Sequence, residues 1–560
     1  MGHSVQRRGR QALAALAVLV ACDGGAGPST PVCNTAGGQA VTMAVGAYQT
    51  IPPLANAGCF TFPGNASLTE TTQYLLAPQI ATDSAGTSAL FLLDGDTLHP
   101  AVSAAAGAAA SRAGLGVAER FHDLLREEER THWARLPRAP RMAGPLGATR
   151  FPPPTVGSSR TFSVRSDIDN PVFTLVTATA KTVTGHLAIY VDNAAPANGL
   201  SQADLDSIGA LFDARLYAID TTAFGRESDI DANTVVAVLI TNVVNRLVTR
   251  QQCAQSGFIA GFFFGFDIDP LFAGDPRSNH GEVFYSMVAD PDSTLSCAHS
   301  VSQLKRLVPV TFVHEFQHMI SYNEHVLVGG GDPQDVWLDE GMSHFAEELA
   351  GRSFLPGDTA TFSNYLIGDL FNAYSYLNAS GSHFLAFSSG IGSLAERGAA
   401  WLFVRYVVDQ FAADTTFAAT AAFTRTLGQS NLLGGAAVEA VTGTPFATIA
   451  ARWMLANYVS DLPGFTAPPE LRYSSWRFRT TFASLNQQRP TVFPKPFPLT
   501  PPTSAGNAVG LSGFLRAGSG PYAIAQQPPS TPGFTLLFSG PNGTELPNAL
   551  DPRLNVIRIR

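Results

Sequence analysis

Charged residues are scarce in this chain of 560 residues, of which only 14% are charged and 45% are hydrophobic. Disordered proteins show the opposite composition, so that class is excluded. The formal net charge is −9, and beyond the arginines at the N-terminus the sequence has no basic stripe. These two observations argue against a nucleic-acid-binding protein. The composition instead predicts a globular chain that can bury a large core and form about three domains.

A long apolar run near the N-terminus is also missing. The run Ala12–Ala21 has ten residues, whereas a helix needs about 20 residues to cross a bilayer. Arg7, Arg8 and Arg10 precede it, and a positive segment followed by a short apolar run is typical of an export signal. We therefore expect residues 1–22 to be a signal peptide and the protein to be exported.

The end of this run resembles a lipidation signal. Leu19-Val-Ala-Cys22 is similar to the lipobox of bacterial lipoproteins, in which the cysteine becomes the lipid-modified first residue after cleavage. The resemblance implies a cell-envelope lipoprotein, periplasmic or on the outer surface, that is anchored to a membrane through Cys22. Ordinary secretion after cleavage at Ala21 is the alternative.

Cysteine is rare, with five residues in the whole chain. Cys22 belongs to the signal, and Cys33, Cys59, Cys253 and Cys297 lie in two separate neighbourhoods. No Cys-x-x-Cys spacing occurs, which argues against a zinc site built from cysteines. Because neighbours in sequence pair most simply, we predict the disulfides Cys33–Cys59 and Cys253–Cys297, as suits an exported protein. Other connectivities and free thiols are the alternatives.

The side chains that can carry chemistry concentrate in one stretch, His314-Glu-Phe-Gln-His318. Two histidines four residues apart on a helix differ by about 40° in rotation and about 6 Å in rise, so both rings can reach one metal ion. Glu315 lies about 100° from His314, which suits a general base that holds a water better than it suits a ligand. We predict His314 and His318 as zinc ligands and Glu315 as the catalytic base. The apolar residues of this helix fall on its opposite side: Phe312, Val313, Phe316 and Ile320.

Two histidines do not complete a catalytic zinc site, so a third ligand is expected. Gly329–Gly331 precede the stretch Trp337-Leu-Asp-Glu-Gly341 and allow a second helix to fold back on the first. We expect Asp332 to cap this helix and Pro333 to occupy its first position. The apolar stripe of the helix leaves Glu340 on the other side. Glu340 is therefore the predicted third ligand.

Four further titratable residues lie near these segments. We predict that His344 is either a partner of a metal ligand or a residue at the rim of the site, and that Glu347 and Glu348 lie on a solvated helix face. His325 would lie about 16 Å along the helix axis from His314. His325 therefore cannot share the metal ion of His314.

The order His-Glu-x-x-His, followed at a distance by Trp-Leu-Asp-Glu-Gly, resembles the gluzincin metallopeptidases, in which a glutamate on a following helix is the third zinc ligand. The two segments are most similar to the hyicolysin family of bacterial metallopeptidases. The resemblance extends over roughly residues 185–465 and includes three upstream segments: Phe224–Asn233, Gly261–Asp267 and Ser278–Tyr285. It implies a two-lobed, zincin-like α+β domain with a mixed sheet, the His-Glu-x-x-His helix and a helical lobe, together with one catalytic Zn²⁺ and a protein or peptide substrate.

Two departures from the family pattern matter. In thermolysin-like gluzincins, an aspartate four residues after the ligand glutamate supports a zinc histidine, and here His344 stands at that position. The Gly-x-Met-Glu-Asn segment of gluzincin aminopeptidases does not occur in this chain. The resemblance therefore favours an endopeptidase over an aminopeptidase.

Strand and helix patterns divide the rest of the chain. Residues 23–136 are predicted to form a small β domain that ends in an amphipathic helix from Val117 to Leu136. A proline-rich linker at 137–160 leads to the metallopeptidase domain at 161–480, and a small C-terminal β domain follows at 490–560.

The N-terminal region invites a further hypothesis. Residues 23 to about 155 are interpreted as a propeptide that inhibits the enzyme or assists its folding, with cleavage in the linker. A permanent accessory domain is the alternative.

Two local patterns remain. Asp229-Ile-Asp-Ala-Asn233 resembles the start of a calcium loop, but an EF-hand needs a glutamate eleven residues after Asp229, where Ile240 stands. We therefore interpret this segment as a turn and do not favour Ca²⁺. Val283–Val288 is predicted to be the edge strand that pairs with an extended substrate.

Together these patterns predict an exported zinc-dependent endopeptidase. The alternative is a cell-surface binding or adhesion lipoprotein whose zincin domain is degenerate and not catalytic. Peptide hydrolysis also benefits from a group that stabilises the oxyanion. Five residues are candidates for that role, although packing is the simpler interpretation of each: Tyr365, Tyr374, Tyr376, His383 and Tyr406.

Overall fold

The computed structural model describes residues 33, 38–53, 58–95, 115–133, 152–390 and 392–560. The predicted signal peptide, with Cys22, lies outside these residues, as does the linker up to residue 151. In the described part, three β-sheets combine with helices, which confirms the α+β class. None of the described helices has both the length and the apolar character that crossing a membrane requires. Both disulfides are those predicted from sequence proximity, Cys33–Cys59 and Cys253–Cys297.

The described residues of the N-terminal part form five strands and one helix: β1 Gln39–Ala40, β2 Tyr48–Ile51, β3 Cys59–Phe62, β4 Thr72–Ile80, β5 Ser88–Gly95 and α1 Val117–Trp133. Helix α1 begins at the residue that its amphipathic pattern predicted. Its apolar residues Phe121 and Leu125 are fully buried, and the Phe121 ring packs edge-on against Phe262 at 4.9 Å. Helix α1 is thus attached to the central sheet.

The central part begins with a six-stranded mixed sheet and four helices: β6 Ser159–Arg165, β7 Phe173–Val183, β8 Leu187–Asp192, α2 Gln202–Leu211, α3 Tyr217–Ala223, β9 Val236–Ile240, α4 Asn242–Arg246, α5 Arg250–Ser256, β10 Gly261–Phe263 and β11 Val283–Ser286. The strand order is β10-β11-β9-β8-β7-β6, with β8, β9 and β11 parallel. Their continuous apolar runs suit strands that are covered on both faces. Ser201 caps α2 by accepting a hydrogen bond from the backbone N–H of Asp204.

The prediction that Val283–Val288 is the edge strand is wrong. Strand β11 lies second from the edge and pairs with β9 on one side and with β10 on the other. The edge is β10, which has only three residues and runs antiparallel to β11. A strand this short leaves no alternation that a sequence pattern could detect.

Eight helices complete the central part: α6 Val301–Tyr322, α7 Val336–Arg352, α8 Thr359–Asn378, α9 Leu394–Phe411, α10 Phe417–Gly428, α11 Gly434–Thr442, α12 Phe446–Val459 and α13 Phe478–Gln488. Helix α6 packs between β10 and α7, while α7, α8 and α9 pack against one another. The largest side chains of this helical core, Trp337, Trp401 and Trp453, are fully buried. Helix α7 is therefore enclosed by other helices and has no broad solvated face.

The contact between α8 and α9 depends on a glycine. A Cβ atom at Gly398 would lie 2.2 Å from the carbonyl carbon of Asn372. Because backbone cannot give way as a side chain can, Gly398→Ala is expected to lower the free energy of unfolding by about 1–3 kcal/mol, measured by urea denaturation. Gly368→Ala, on the exposed side of α8, is the control, since no atom lies within 4 Å of its Cβ position. The control should raise the free energy of unfolding slightly. If both changes had the same effect on the free energy of unfolding, position 398 would not require glycine.

The C-terminal part adds five strands: β12 Thr503–Ala505, β13 Gly510–Arg516, β14 Ala523–Gln527, β15 Phe534–Ser539 and β16 Pro552–Arg558. These strands pair with the N-terminal strands in two sheets of order β1-β3-β15-β5-β13 and β12-β14-β4-β16-β2. The prediction of two separate β domains, within 23–136 and 490–560, is therefore wrong. Strand patterns reveal strands but not their partners, and here the partners come from opposite ends of the chain.

Candidate metal centre

Helices α6 and α7 carry the predicted zinc ligands. Ser300 caps α6 by accepting a hydrogen bond from Gln303 N. Helix α7 begins at Val336 with Asp335 at its N-cap position, so the predicted starting residues Asp332 and Pro333 lie in the preceding loop and that prediction is wrong. The start of α7 coincides instead with its first buried apolar residues, which enter the core.

The three predicted ligands converge between these helices. The Nε2 atoms of His314 and His318 lie 3.2 Å apart. One oxygen of Glu340 lies 3.5 Å from His314 Nε2, and the other lies 3.9 Å from His318 Nε2. All three side chains are buried. His325, in contrast, contacts Gln334 through its Nε2 atom at 3.3 Å.

The second nitrogen of each ring, Nδ1, contacts a carboxylate. His314 Nδ1 lies 2.8 Å from Glu347 Oε1, and His318 Nδ1 lies 2.8 Å from Asp339 Oδ2. An ionised carboxylate only accepts, so each Nδ1 carries a hydrogen, and Nε2 is the nitrogen that faces Glu340 and is left to bind a cation. Metal-binding histidines are typically oriented in this way. Two imidazoles and one carboxylate are also a donor set that suits zinc, so these residues fit the metal.

The electrostatics of the cluster favour a positive charge between the rings. Burial opposes the charged form of His314, but Glu340 and Glu347 outweigh it and raise the pKa of His314 to about 10. Burial likewise opposes the ionised form of Glu340, yet Arg397 and the two histidines hold the pKa of that carboxyl well below its usual range. The buried carboxylates are thus charged, as a cation site requires.

A chain of polar residues extends behind His314, and the prediction that Glu347 is solvated is wrong. Glu347 is only 7% exposed and lies between His314 and His344, whose Nδ1 atom is 2.9 Å from Glu347 Oε1. The same Nδ1 atom lies 2.8 Å from Asp369 Oδ1. Burial opposes the charge of His344, but these carboxylates raise its pKa to about 9. Of the two alternatives for His344, the structure shows a residue that contacts Glu347, the partner of the predicted ligand His314.

Glu348 is also buried, contrary to prediction. Its carboxylate accepts hydrogen bonds from the indole N–H groups of Trp401 and Trp476, and it pairs with Arg352 and Arg405. Both carboxylate oxygens of Glu348 thus have structural partners. Glu348 belongs to the packing between α7 and its neighbours.

The carboxylates behind the rings lead to a prediction about metal affinity. Glu347→Gln and Asp339→Asn keep the side-chain shape but weaken the acceptor that orients each ring. Each is expected to reduce zinc affinity by about 10- to 100-fold, measured by competition with a chromophoric chelator. Glu545→Gln, an exposed residue of the C-terminal part, is the control. Unchanged affinity in both site variants would show that the carboxylates do not orient the ligands.

Glu315, the predicted base, lies at the edge of the central sheet. Its Oε2 atom accepts a hydrogen bond of 3.0 Å from the backbone N–H of Phe263 in β10. Its Oε1 atom lies 3.5 Å from His122 Nδ1, on α1. Burial lowers the pKa of His122 to about 4, so this ring is neutral at physiological pH. Sequence analysis missed His122, because nothing in an amphipathic pattern shows where a helix docks.

Arg397 is a second residue that sequence analysis missed. It lies on α9, is buried, and donates a hydrogen bond of 2.8 Å to Glu340 Oε2. An arginine within the apolar pattern of α9 is a signal that could have been used, because a buried guanidinium needs an acidic partner. Arg397 therefore fixes the carboxylate of Glu340 from the side of α9.

Four of the five candidates for oxyanion stabilisation have polar partners outside the ligand cluster. The pairs are Tyr374 with backbone atoms of Lys495, Tyr376 with Ser519, Tyr406 with the carbonyl of Glu470, and His383 with Glu396. Tyr365 is buried, and its hydroxyl has no hydrogen-bond partner among the described residues. Packing roles thus account for at least four of these residues.

The segment that resembles a calcium loop forms a turn before β9, as predicted. Asp229 and Asp231 lie near Glu282, with ligand atoms within 4.8 Å of one another. Glu282 accepts hydrogen bonds from the Ser228 hydroxyl and from Ile230 N. The acidic side chains are thus used at least partly in shaping the turn.

Comparisons with known proteins give one partial similarity. No protein-family profile matches the chain. Over 154 residues the chain is 28% identical to the Neutral metalloprotease ShpI of Staphylococcus hyicus. The matched stretch is 27% of this chain and 32% of that protein. The chain thus matches about a third of the length of this relative. Part of the chain is therefore similar to a metalloprotease, a class in which histidines and a glutamate commonly bind the catalytic zinc.

Proposed function

We propose that this protein is an exported, zinc-dependent endopeptidase. The observation that carries the proposal is the convergence of His314 Nε2, His318 Nε2 and the Glu340 carboxylate, within 3.2 to 3.9 Å of one another, beside Glu315 on the same helix. The partial similarity to a metalloprotease supports the same reaction class.

His314, His318 and Glu340 would hold the zinc. Glu347 and Asp339 keep the two rings in orientation, and their contacts of 2.8 Å leave little freedom for either ring. Zinc, when bound in such a set, acidifies a water and polarises a carbonyl as a Lewis acid.

Glu315 is the proposed general base. Its carboxylate takes a proton from the attacking water and later passes it to the leaving amine. The hydrogen bond from Phe263 N fixes one carboxylate oxygen, so that the other can meet the water. Because Phe263 lies on the edge strand, the base is held next to the place where an extended peptide could pair with the sheet.

The layout around this centre agrees with the family resemblance. The sheet with its edge strand β10 lies on one side of α6, and the helical core of α7, α8 and α9 lies on the other. We propose that these parts are the two lobes of a gluzincin of the hyicolysin type, with the peptide bound between them. Export as a lipoprotein through Cys22 belongs to the same proposal.

Metal analysis paired with a chelator test decides the function. Purified mature protein is expected to contain about one zinc per chain and to cleave casein. Cleavage should stop with a zinc chelator and return when zinc is added back. Zinc-loaded protein that never cleaves casein or a peptide library would contradict the proposal and favour the alternative, a surface-binding protein with a degenerate site.

A further inference from the structure

Helix α1 lies across the proposed active centre, although it precedes the central sheet in sequence. His122 of α1 approaches the oxygen of Glu315 that does not bind Phe263, with 3.5 Å between His122 Nδ1 and Glu315 Oε1. We propose that α1 is an autoinhibitory helix that occupies the place of the peptide substrate. The proposal rests on the proposed peptidase function.

The first argument is the edge strand. Both polar groups of Phe263 point away from β11, because its N–H donates to Glu315 and its carbonyl accepts a hydrogen bond of 2.7 Å from Arg126 Nη2. Glu129 accepts a hydrogen bond of 2.6 Å from the N–H of Gly265, just beyond the strand. An extended peptide that added to this edge would need these backbone groups. The side chains of α1 hold them instead.

The second argument is a contact of α1 with the helical core. Asp123 of α1 accepts a hydrogen bond of 2.6 Å from the backbone N–H of Gly390, in the connection between α8 and α9. The contacts of α1 therefore reach from the edge of the sheet, past Glu315, to the helical core. A peptide could not reach Glu315 between these two contacts while α1 is in place.

The third argument is the charge of the buried face. Asp123, Arg126 and Glu129 are 2%, 4% and 6% exposed, values that are rare for charged residues without specific partners. Each partner named above is a backbone group of the cleft wall, and Arg126 and Glu129 also pair with each other at 3.2 Å. An amphipathic helix that merely covered a core would not need three buried charges.

The sheet topology limits how much of the N-terminal region could leave. Strand β4 lies between β14 and β16, and β5 lies between β15 and β13. Removal of everything from residue 23 to about 155, as the propeptide hypothesis had it, would take inner strands out of both sheets. The inhibitory element is therefore α1, while the strands before it remain part of the folded protein.

Variants that loosen α1 test the proposal. The double variant Arg126→Met/Glu129→Gln weakens the contacts to Phe263 and Gly265. Because both charges of the buried pair are removed together, neither is left without its partner. We expect kcat/KM for a fluorogenic peptide to rise about tenfold or more, because a larger fraction of molecules has an open cleft. Glu127→Gln, on the same helix but without a side-chain contact to the cleft, is the matched control and should behave as wild type.

A second variant and an added peptide make the test decisive. His122→Ala removes only the ring over Glu315, and it should raise activity, whereas a catalytic histidine would lower it. A synthetic peptide of residues 117–133 should inhibit the double variant by raising KM with kcat unchanged, and a scrambled peptide should not.

The outcomes separate the two proposals. If wild type shows chelator-sensitive cleavage and the zinc-loaded variants are equally or less active, α1 is a permanent part of the site and the inhibitory role is overturned. If neither wild type nor any variant cleaves a peptide with zinc bound, the peptidase function fails, and the inhibitory role falls with it.

Discussion

Glu315→Gln is expected to abolish peptide cleavage while leaving zinc bound. The amide has the shape of the carboxylate and can still accept the hydrogen bond from Phe263 N, which is 3.0 Å long in the wild type. It cannot take a proton from the attacking water. Removal of a general base typically costs about 10²- to 10⁴-fold in rate, and kcat on a fluorogenic peptide would show the loss.

The zinc content is the control within this experiment. Glu315 contacts the backbone of Phe263 and the ring of His122 and is not one of the predicted metal ligands, so the variant should carry as much zinc as wild type. Glu545→Gln provides a matched change far from the site. If Glu315→Gln cleaves casein like wild type, the base has been assigned wrongly.

Glu340→Gln is expected to lose zinc and activity together. An amide oxygen is a much weaker zinc ligand than a carboxylate, and the loss of a direct ligand should cost at least the roughly 100-fold in affinity that an orienting partner can cost. The change also leaves Arg397 without its anion, because these two side chains form a buried ion pair at 2.8 Å. Breaking such a pair typically costs about 3–5 kcal/mol of stability.

A double variant separates these two effects. Glu340→Gln/Arg397→Met removes the unpaired cation, so thermal unfolding should recover toward wild type while zinc affinity stays low. Full zinc affinity in a folded Glu340→Gln protein would exclude Glu340 as the third ligand. His344 would then be the replacement to test, because a ring nitrogen of His344 lies with His314 and Glu340 within 4.8 Å.

Local sequence was sufficient where the chemistry depends on helical spacing. His314 and His318 face the same place because they are four residues apart on one helix, and Glu340 could be chosen because the apolar stripe of α7 fixes its side. Proximity in sequence also gave both disulfides. The histidine pair and Glu340 involve residues whose relative positions depend on one element, or on two that adjoin.

Prediction from the sequence failed where the role of a residue depends on which other element packs over it. Glu347 and Glu348 follow Glu340 on α7 and look like a solvated face, but α6, α8 and α9 enclose that helix. In this enclosed setting Glu347 contacts His314, and Glu348 accepts a hydrogen bond from the buried Trp401. The helical period gives the direction of a side chain and not what lies in that direction.

The sequence by itself predicted the helices that carry His314, His318 and Glu340 and the direction in which these side chains point, because helical geometry and side-chain chemistry are local properties. The tertiary structure alone decided that strands from both ends share two sheets, that β10 is the edge, and that α1 meets Glu315 through His122. These are contacts between segments that are distant in the chain. Their free energy comes from burying matching surfaces and pairing buried polar groups, which no single segment encodes.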